Sequence, residues 1–276
     1  MSFPPAPSKP IRFSPPPNPG RRVVVHIPHA SIVIPQDVRD TFVVRGRDLE
    51  HEQLRMTDWY TDELYRGLVT ADATICFPVS RLVVDPERFV DDEREPMAAK
   101  GMGATYLRTS DGRALRDALP VAEREQLLAR FYAPHHRNLT RAAGRALADG
   151  QECLIVDGHS FPSQPLPCDL DQTLHRPDIC IGTDARHTPQ WLAGKAVDVF
   201  ARRGLRVEVD RPFSGAMVPA PFYGTNLRVH AVMIEISRRC YMDEATGAKL
   251  PGFDGFRALV HQALRDLMTA YVSHRD

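Results

Sequence analysis

Three observations predict an α/β fold, a three-layer sandwich whose mixed, mostly parallel sheet carries helices on both faces. Short apolar runs alternate with segments of helical periodicity, polar residues collect where the apolar runs end, and no repeat or internal linker interrupts the pattern.

The elements follow in chain order. Residues 1–20 hold eight of the 24 prolines and describe a disordered or extended arm, leaving residues 21–276 as a single domain. Strands are expected at Arg22–Ile27, at Thr74–Phe77 together with Arg81–Val84, and at Cys153–Val156, Ile179–Ile181, Leu205–Val209 and Val229–Ile236. Helices are expected at Asp48–Val69, Leu119–Leu147, Pro189–Arg203 and Phe253–Val272, where apolar residues recur at i, i+3 and i+4. Leu115–Leu119 starts the second of these early, before Pro120 restarts it.

Composition narrows the function. Lys+Arg and Asp+Glu both number 35, so no charge excess points to nucleic acid or an anionic membrane. Only four of those basic residues are lysine, Lys9, Lys100, Lys195 and Lys249. Base composition can produce that bias, and so can a need for bidentate carboxylate binding. Five cysteines without a C-x-x-C pair argue against a disulfide framework or a cysteine metal site and fit a reducing cytoplasm. No apolar run approaches membrane-spanning length.

In sheets of this kind, ligands bind outside the carboxyl ends of the strands. Those ends carry His26 and His29, then Arg81, Asp85 and Arg88, then Asp157, His159 and Ser160, then Asp210 and Arg211. The last strand, AVMIEIS, holds Glu235 between isoleucines that face the other side, and a buried carboxylate needs a partner. Histidines and carboxylates at strand ends suit a hydrolytic zinc with an open position for water. His29 and His159, each just past a strand, are the histidine ligands expected, and Asp58 is the carboxylate, with Asp62 one turn later on the same helix face as its rival. Each residue also has an ordinary role: a hydrogen-bonded strand-end histidine, a solvated helix aspartate, a turn-capping Asp157 or one that orients His159.

Other motifs fail on inspection. His51-Glu52-Gln53-Leu54-Arg55 has arginine where a zincin requires its second histidine, and DGHSF around Ser160 lacks the glycines of a nucleophile elbow. GMGATY, Gly101 to Tyr106, follows a charged stretch and reads as a mobile loop, a candidate lid.

The segments HIPHASIVIP, TDWYTDELY, FPVSRLVVDPERFVDDEREPMAAKGMGATYLRTSDGRALR, YAPHHRNL, LIVDGHSFPS, DRPFSGAMVP and IEISRRCYMDE resemble the N-formylglutamate amidohydrolase family over most of residues 22–240. The resemblance implies the phosphorylase/hydrolase-like fold of the zinc carboxypeptidases, hydrolysis of N-formyl-L-glutamate to formate and L-glutamate, and a place in histidine degradation. It assigns His29, Asp58 and His159 to Zn2+, with other divalent metals possible, Glu235 to general base and acid, and Arg88 to a carboxylate-binding pair. Related sequences often read D-x-N-R there, whereas this chain has Glu87 beside Arg88.

A dicarboxylate substrate needs guanidinium groups. Arg88 and Arg211 are expected to hold its carboxylates, Arg81 to stabilise the oxyanion, and His136 and Ser31 to hydrogen-bond nearby; Arg238 is a weaker candidate. Two alternatives stay open: hydrolysis of another N-acyl amino acid, and carboxylate binding without catalysis.

Overall fold

The structure, a computed structural model, describes residues 22–148 and 151–274; the proline-rich arm lies outside the described residues. Six strands, β1 (Val23–Ile27), β2 (Thr74–Cys76), β3 (Cys153–Phe161), β4 (Ile179–Gly182), β5 (Val207–Val209) and β6 (Val229–Ser237), form one sheet in the order β2-β1-β3-β6-β4-β5. β1 is parallel to β2 and β3, β3 to β6, and β4 to β5; only the β4–β6 pairing is antiparallel. The sheet is therefore mixed and mostly parallel, as the sequence predicts.

Among the described residues seven α-helices accompany it: α1 (Gln36–Arg39), α2 (Gly46–Met56), α3 (Thr61–Tyr65), α4 (Val121–Leu127), α5 (Ala133–Ala146), α6 (Gln190–Ala201) and α7 (Phe253–Ser273). Strand alternation sorts the apolar side chains into two layers. Val23, Val25, Ile27, Leu154, Val156, Val232, Ile234 and Ile236 pack with α3, α6 and α7. Val24, Ile155, Val229 and Ala231 pack on Leu139, Ala142 and Ala143 of α5. Both faces are covered, which is why the central strands read as nearly unbroken apolar runs. Continuing the alternation carries His26, Asp157, His159 and Glu235 onto the α5 face at the carboxyl ends of three adjacent strands, with His159 opposite Glu235 in the ladder. A third apolar cluster, including Phe42, Leu82, Val83, Tyr106 and Phe131, builds the wall beside them.

Several expected elements are corrected. The helix predicted over Asp48–Val69 breaks after Met56: Thr57 is extended, and Tyr60 takes a left-handed φ of 63°. The intervening turn is tied to the exit of β1, because the Asp58 N–H donates to the His29 carbonyl at 3.0 Å. Asp58 thus sits in a turn, not on a helix face. Arg81–Val84 is no strand but a turn, with the Val83 N–H donating to the Ser80 carbonyl; Leu82, Val83 and Val84 are buried in the third cluster. Leu115–Leu119 is not helical. The predicted Leu119–Leu147 helix contains a π-helical turn, Leu128–Tyr132, immediately before α5. Pro134 has no N–H to offer the carbonyl four residues back, so the regular ladder is interrupted there. Finally, the segment expected to be a mobile loop is packed: Met102, Ala104 and Tyr106 are buried, and the Asp85 N–H donates to the Ala104 carbonyl. Among the described residues, no helix is long and apolar enough to cross a membrane.

Candidate active site

A cavity of about 990 Å³ opens at the carboxyl ends of β1, β3 and β6. His29, Asp58 and His159 meet in its floor, all buried, with potential ligand atoms within 4.8 Å of one another. They arrive from β1's exit, from the α2–α3 break and from β3.

Each side chain is held from behind. His29 donates through Nε2 to Asp85 Oδ1 at 2.9 Å, which turns Nδ1 toward Asp58 Oδ2, 3.6 Å away. His159 donates through Nε2 to Asp157 Oδ1 at 3.1 Å and directs Nδ1 at Asp58 Oδ2, also at 3.1 Å. Arg238 donates to Asp58 Oδ1 at 3.1 Å, leaving Oδ2 to face both imidazoles. His29 Nδ1 is buried without a hydrogen-bond partner. A buried, unpartnered nitrogen beside a carboxylate and a second imidazole is a donor set for a divalent cation, and the Nε2–carboxylate bonds are those that orient metal-binding histidines.

The electrostatics agree. Burial and Arg81 depress the His29 pKa, but Asp85 and Asp58 outweigh them and raise it. Burial alone would lower His159, yet Glu87, Asp157 and Asp58 hold it well above the ordinary range. Asp58 and Asp85, which burial would raise, are instead held well below it, Asp58 by the two histidines and Asp85 by Arg81 and His29. The pocket therefore concentrates negative charge that positive charge at the imidazoles offsets, whether protons or a metal ion.

A second group able to hold a metal, His26, Glu87 and Asp157, shares this surrounding. His26 and Asp157 are already engaged: His26 Nδ1 donates to Asp157 Oδ1 at 2.7 Å, His26 Nε2 meets His135 Nε2 at 2.8 Å, and the Met217 N–H donates to Asp157 Oδ2 at 2.9 Å, while Glu87 Oε2 lies 3.1 Å from His159 Nε2. Burial, followed by His26 and His136, pushes the His135 pKa down to about 2, so His135 is neutral. This group braces His159 through Asp157.

Glu235 lines the cavity and is buried, with no hydrogen-bond partner for Oε2. Burial pushes its carboxyl up to about 8; Asp58 and Glu87 add to the rise while His159 opposes it. A carboxyl in such a state can hold or release a proton near neutrality.

Other expected residues divide. Arg81 and Arg88 line the cavity. Arg81 Nη2 donates to Asp85 Oδ2 at 2.7 Å. His136 also lines it, but its Nε2 donates to the Pro86 carbonyl at 2.8 Å while Tyr132 donates to the Arg88 carbonyl at 3.1 Å. The π-helical turn and the start of α5 therefore support the turn that carries Glu87 and Arg88. Arg211 is placed elsewhere: its side chain is 60% exposed, 3.7 Å from Asp171, and donates to Thr173, outside the cavity lining. Ser31 likewise lies outside, donating to the Pro78 carbonyl at 2.9 Å. Asp62 lies in the first turn of α3 and is not among the residues lining the cavity. Sequence reasoning undervalued Arg238 and gave no role to Asp85 as the support of His29; those two are 56 positions apart, and no local pattern joins them.

Comparison with known proteins adds three findings. A family model described as N-formylglutamate amidohydrolase matches residues 21–242. The chain is 31% identical over 230 residues to an N-formylglutamate deformylase of Pseudomonas aeruginosa, covering 79% of this chain and 84% of that one, and 28% identical over 229 residues to one of Pseudomonas putida, covering 80% and 82%. The crystal structure of an N-formylglutamate amidohydrolase from Ralstonia eutropha superposes with a TM-score of 0.78 at 22% identity, covering 92% of this chain and 94% of the other; at that identity the likeness establishes the fold.

Proposed function

The chain belongs to the N-formylglutamate amidohydrolase family, and from that membership we propose that it hydrolyses N-formyl-L-glutamate to formate and L-glutamate with the help of a divalent metal ion. The observation that carries the reading is the floor of the cavity: His29, Asp58 and His159 face one another while Glu235 lines the same space.

His29 Nδ1, Asp58 Oδ2 and His159 Nδ1 would hold the ion, zinc by the donor chemistry, though manganese, cobalt and iron also accept such a set. When bound, it would acidify water and polarise the formyl carbonyl. Glu235 takes a proton from the attacking water as the oxygen bonds to the formyl carbon. It then delivers that proton to the amide nitrogen as the C–N bond breaks, releasing formate and the amine of glutamate. Arg81, anchored through Nη2 and Nε to Asp85, presents Nη1 to the oxygen that gains charge. Arg88, whose Nε lies 3.7 Å from Asp85, binds the α-carboxylate beside the scissile amide. Residues 21–276 act as one catalytic domain, in the cytoplasmic step of histidine breakdown that the family resemblance implies.

Formate release from the N-formyl, N-acetyl and N-succinyl derivatives of L-glutamate tests this directly. The formyl compound is expected to turn over, to stop on chelation and to resume with added zinc. Faster release of acetate or succinate, or no formate under any metal condition, would overturn the assignment.

A further inference from the structure

N-formylglutamate carries two carboxylates, and Arg211, a residue expected to hold one of them, lies outside the cavity. The cavity wall offers five arginines: Arg55, Arg81, Arg88, Arg94 and Arg238. Three face carboxylates of the protein itself, Arg81 on Asp85 at 2.7 Å, Arg238 on Asp58 at 3.1 Å and Arg55 on Asp111 at 3.5 Å. Arg88 approaches Asp85 through Nε alone, at 3.7 Å. Arg94 has no carboxylate within ion-pair distance among the described residues; its Cζ stacks 4.9 Å from the ring centroid of Phe89, another cavity residue that is 50% exposed.

The backbone that presents Arg94 is well anchored. Buried Glu95 accepts the N–H groups of both Phe89 and Met97 at 2.9 Å, closing the loop on itself. Arg124 donates to the Val90 carbonyl at 2.6 Å and to Asp92 at 3.0 Å, fixing the loop to α4. An uncommitted guanidinium, stacked on an aromatic ring and carried by an anchored loop, is organised to receive an anion before the anion arrives. Arg88 is tied through Asp85 to His29 and belongs to the reacting amide. Arg94 makes no ion pair with that cluster among the described residues, which leaves it free for the other carboxylate.

We infer that Arg94 is the specificity-determining residue for the side-chain carboxylate of the substrate. This rests on the reading that the substrate is N-formylglutamate. Once that carboxylate is bound by Arg94 and the α-carboxylate by Arg88, the formyl carbon is set over His29, Asp58 and His159, and a ligand lacking the side-chain charge forfeits one of the two anchors.

The test compares wild-type protein with Arg94→Gln, Arg94→Lys and Arg55→Gln, each with its metal restored. For Arg94→Gln, kcat/KM for N-formyl-L-glutamate should fall at least about tenfold, the scale of one charge-assisted contact. For N-formyl-L-glutamine it should move by less than about twofold, since that substrate offers no charge for Arg94 to lose. Arg94→Lys should keep part of the preference, because charge survives without the planar fork. Equal losses on both substrates would mark Arg94 as structural and overturn the assignment; so would unchanged preference, or a preference lost in Arg55→Gln instead. Calorimetric binding of L-glutamate and L-glutamine is measured alongside. If wild-type protein releases no formate, the reaction assignment fails, while the binding preference and its loss in Arg94→Gln still decide the role of Arg94.

Discussion

At the scale of single residues, the proposed chemistry rests on the unpartnered Nδ1 of His29 and the elevated carboxyl of Glu235. His159→Ala removes one donor and uncovers the braced Asp157; bound metal should fall from about one ion per chain to a small fraction, measured by elemental analysis after gel filtration. Asp85→Asn should leave an ion bound but weaken its affinity about 10- to 100-fold, because His29 loses the carboxylate that orients it. Glu235 makes a pH-dependent prediction for protein stripped of metal. Its folded pKa of about 8 lies above the ordinary 4.5, so the unfolded chain ionises first. The contribution of the neutral carboxyl is complete below pH 4.5 and is lost as pH rises through about 8. Glu235→Gln should therefore match wild type near pH 4 and exceed it in thermal unfolding above pH 8, by an amount on the order of a few kcal/mol.

At the scale of elements, the central strands are legible in sequence and helix interruptions are not, and β3 runs on to Phe161, past the Val156 where its apolar run stops. β1, β3 and β6 could be read because parallel strands buried on both faces are written as apolar runs, and the polar residues that end them stand out. The sequence singles out Asp58, yet its placement in a turn depends on a hydrogen bond to His29 across 29 positions that no helical periodicity records. Arg211 looked suitable because it follows β5, but β5 is an edge strand beyond the antiparallel β4, so its end opens away from the cluster. Gly158 shows why a small residue stands inside β3. A Cβ there would come within 2.9 Å of the Tyr65 ring, whose hydroxyl donates to the Ile234 carbonyl at 2.7 Å and so joins α3 to β6. Gly158→Ala should destabilise the fold by about 1–3 kcal/mol in denaturant unfolding, since a well-packed buried ring has little room to yield.

At the scale of the whole molecule, a mixed sheet collects residues separated by more than 200 positions into one cavity, and a long excursion between β2 and β3 walls it with arginines. The mostly parallel sheet and both helical layers follow from pattern, while the order of its strands and the choice among arginines require the structure. On the proposed reading a bound cation would couple this assembly together: chelation should lower the melting temperature by about 5–10 °C if the ion is bound with a hundredfold excess over its dissociation constant. The most direct test of the central claim is formate release from N-formyl-L-glutamate by Glu235→Gln protein whose metal content equals that of wild type. The geometry predicts a full complement of metal with kcat reduced by about a hundredfold or more, the scale of a lost proton-transfer group. A variant that retains its metal and turns over at the wild-type rate would contradict it.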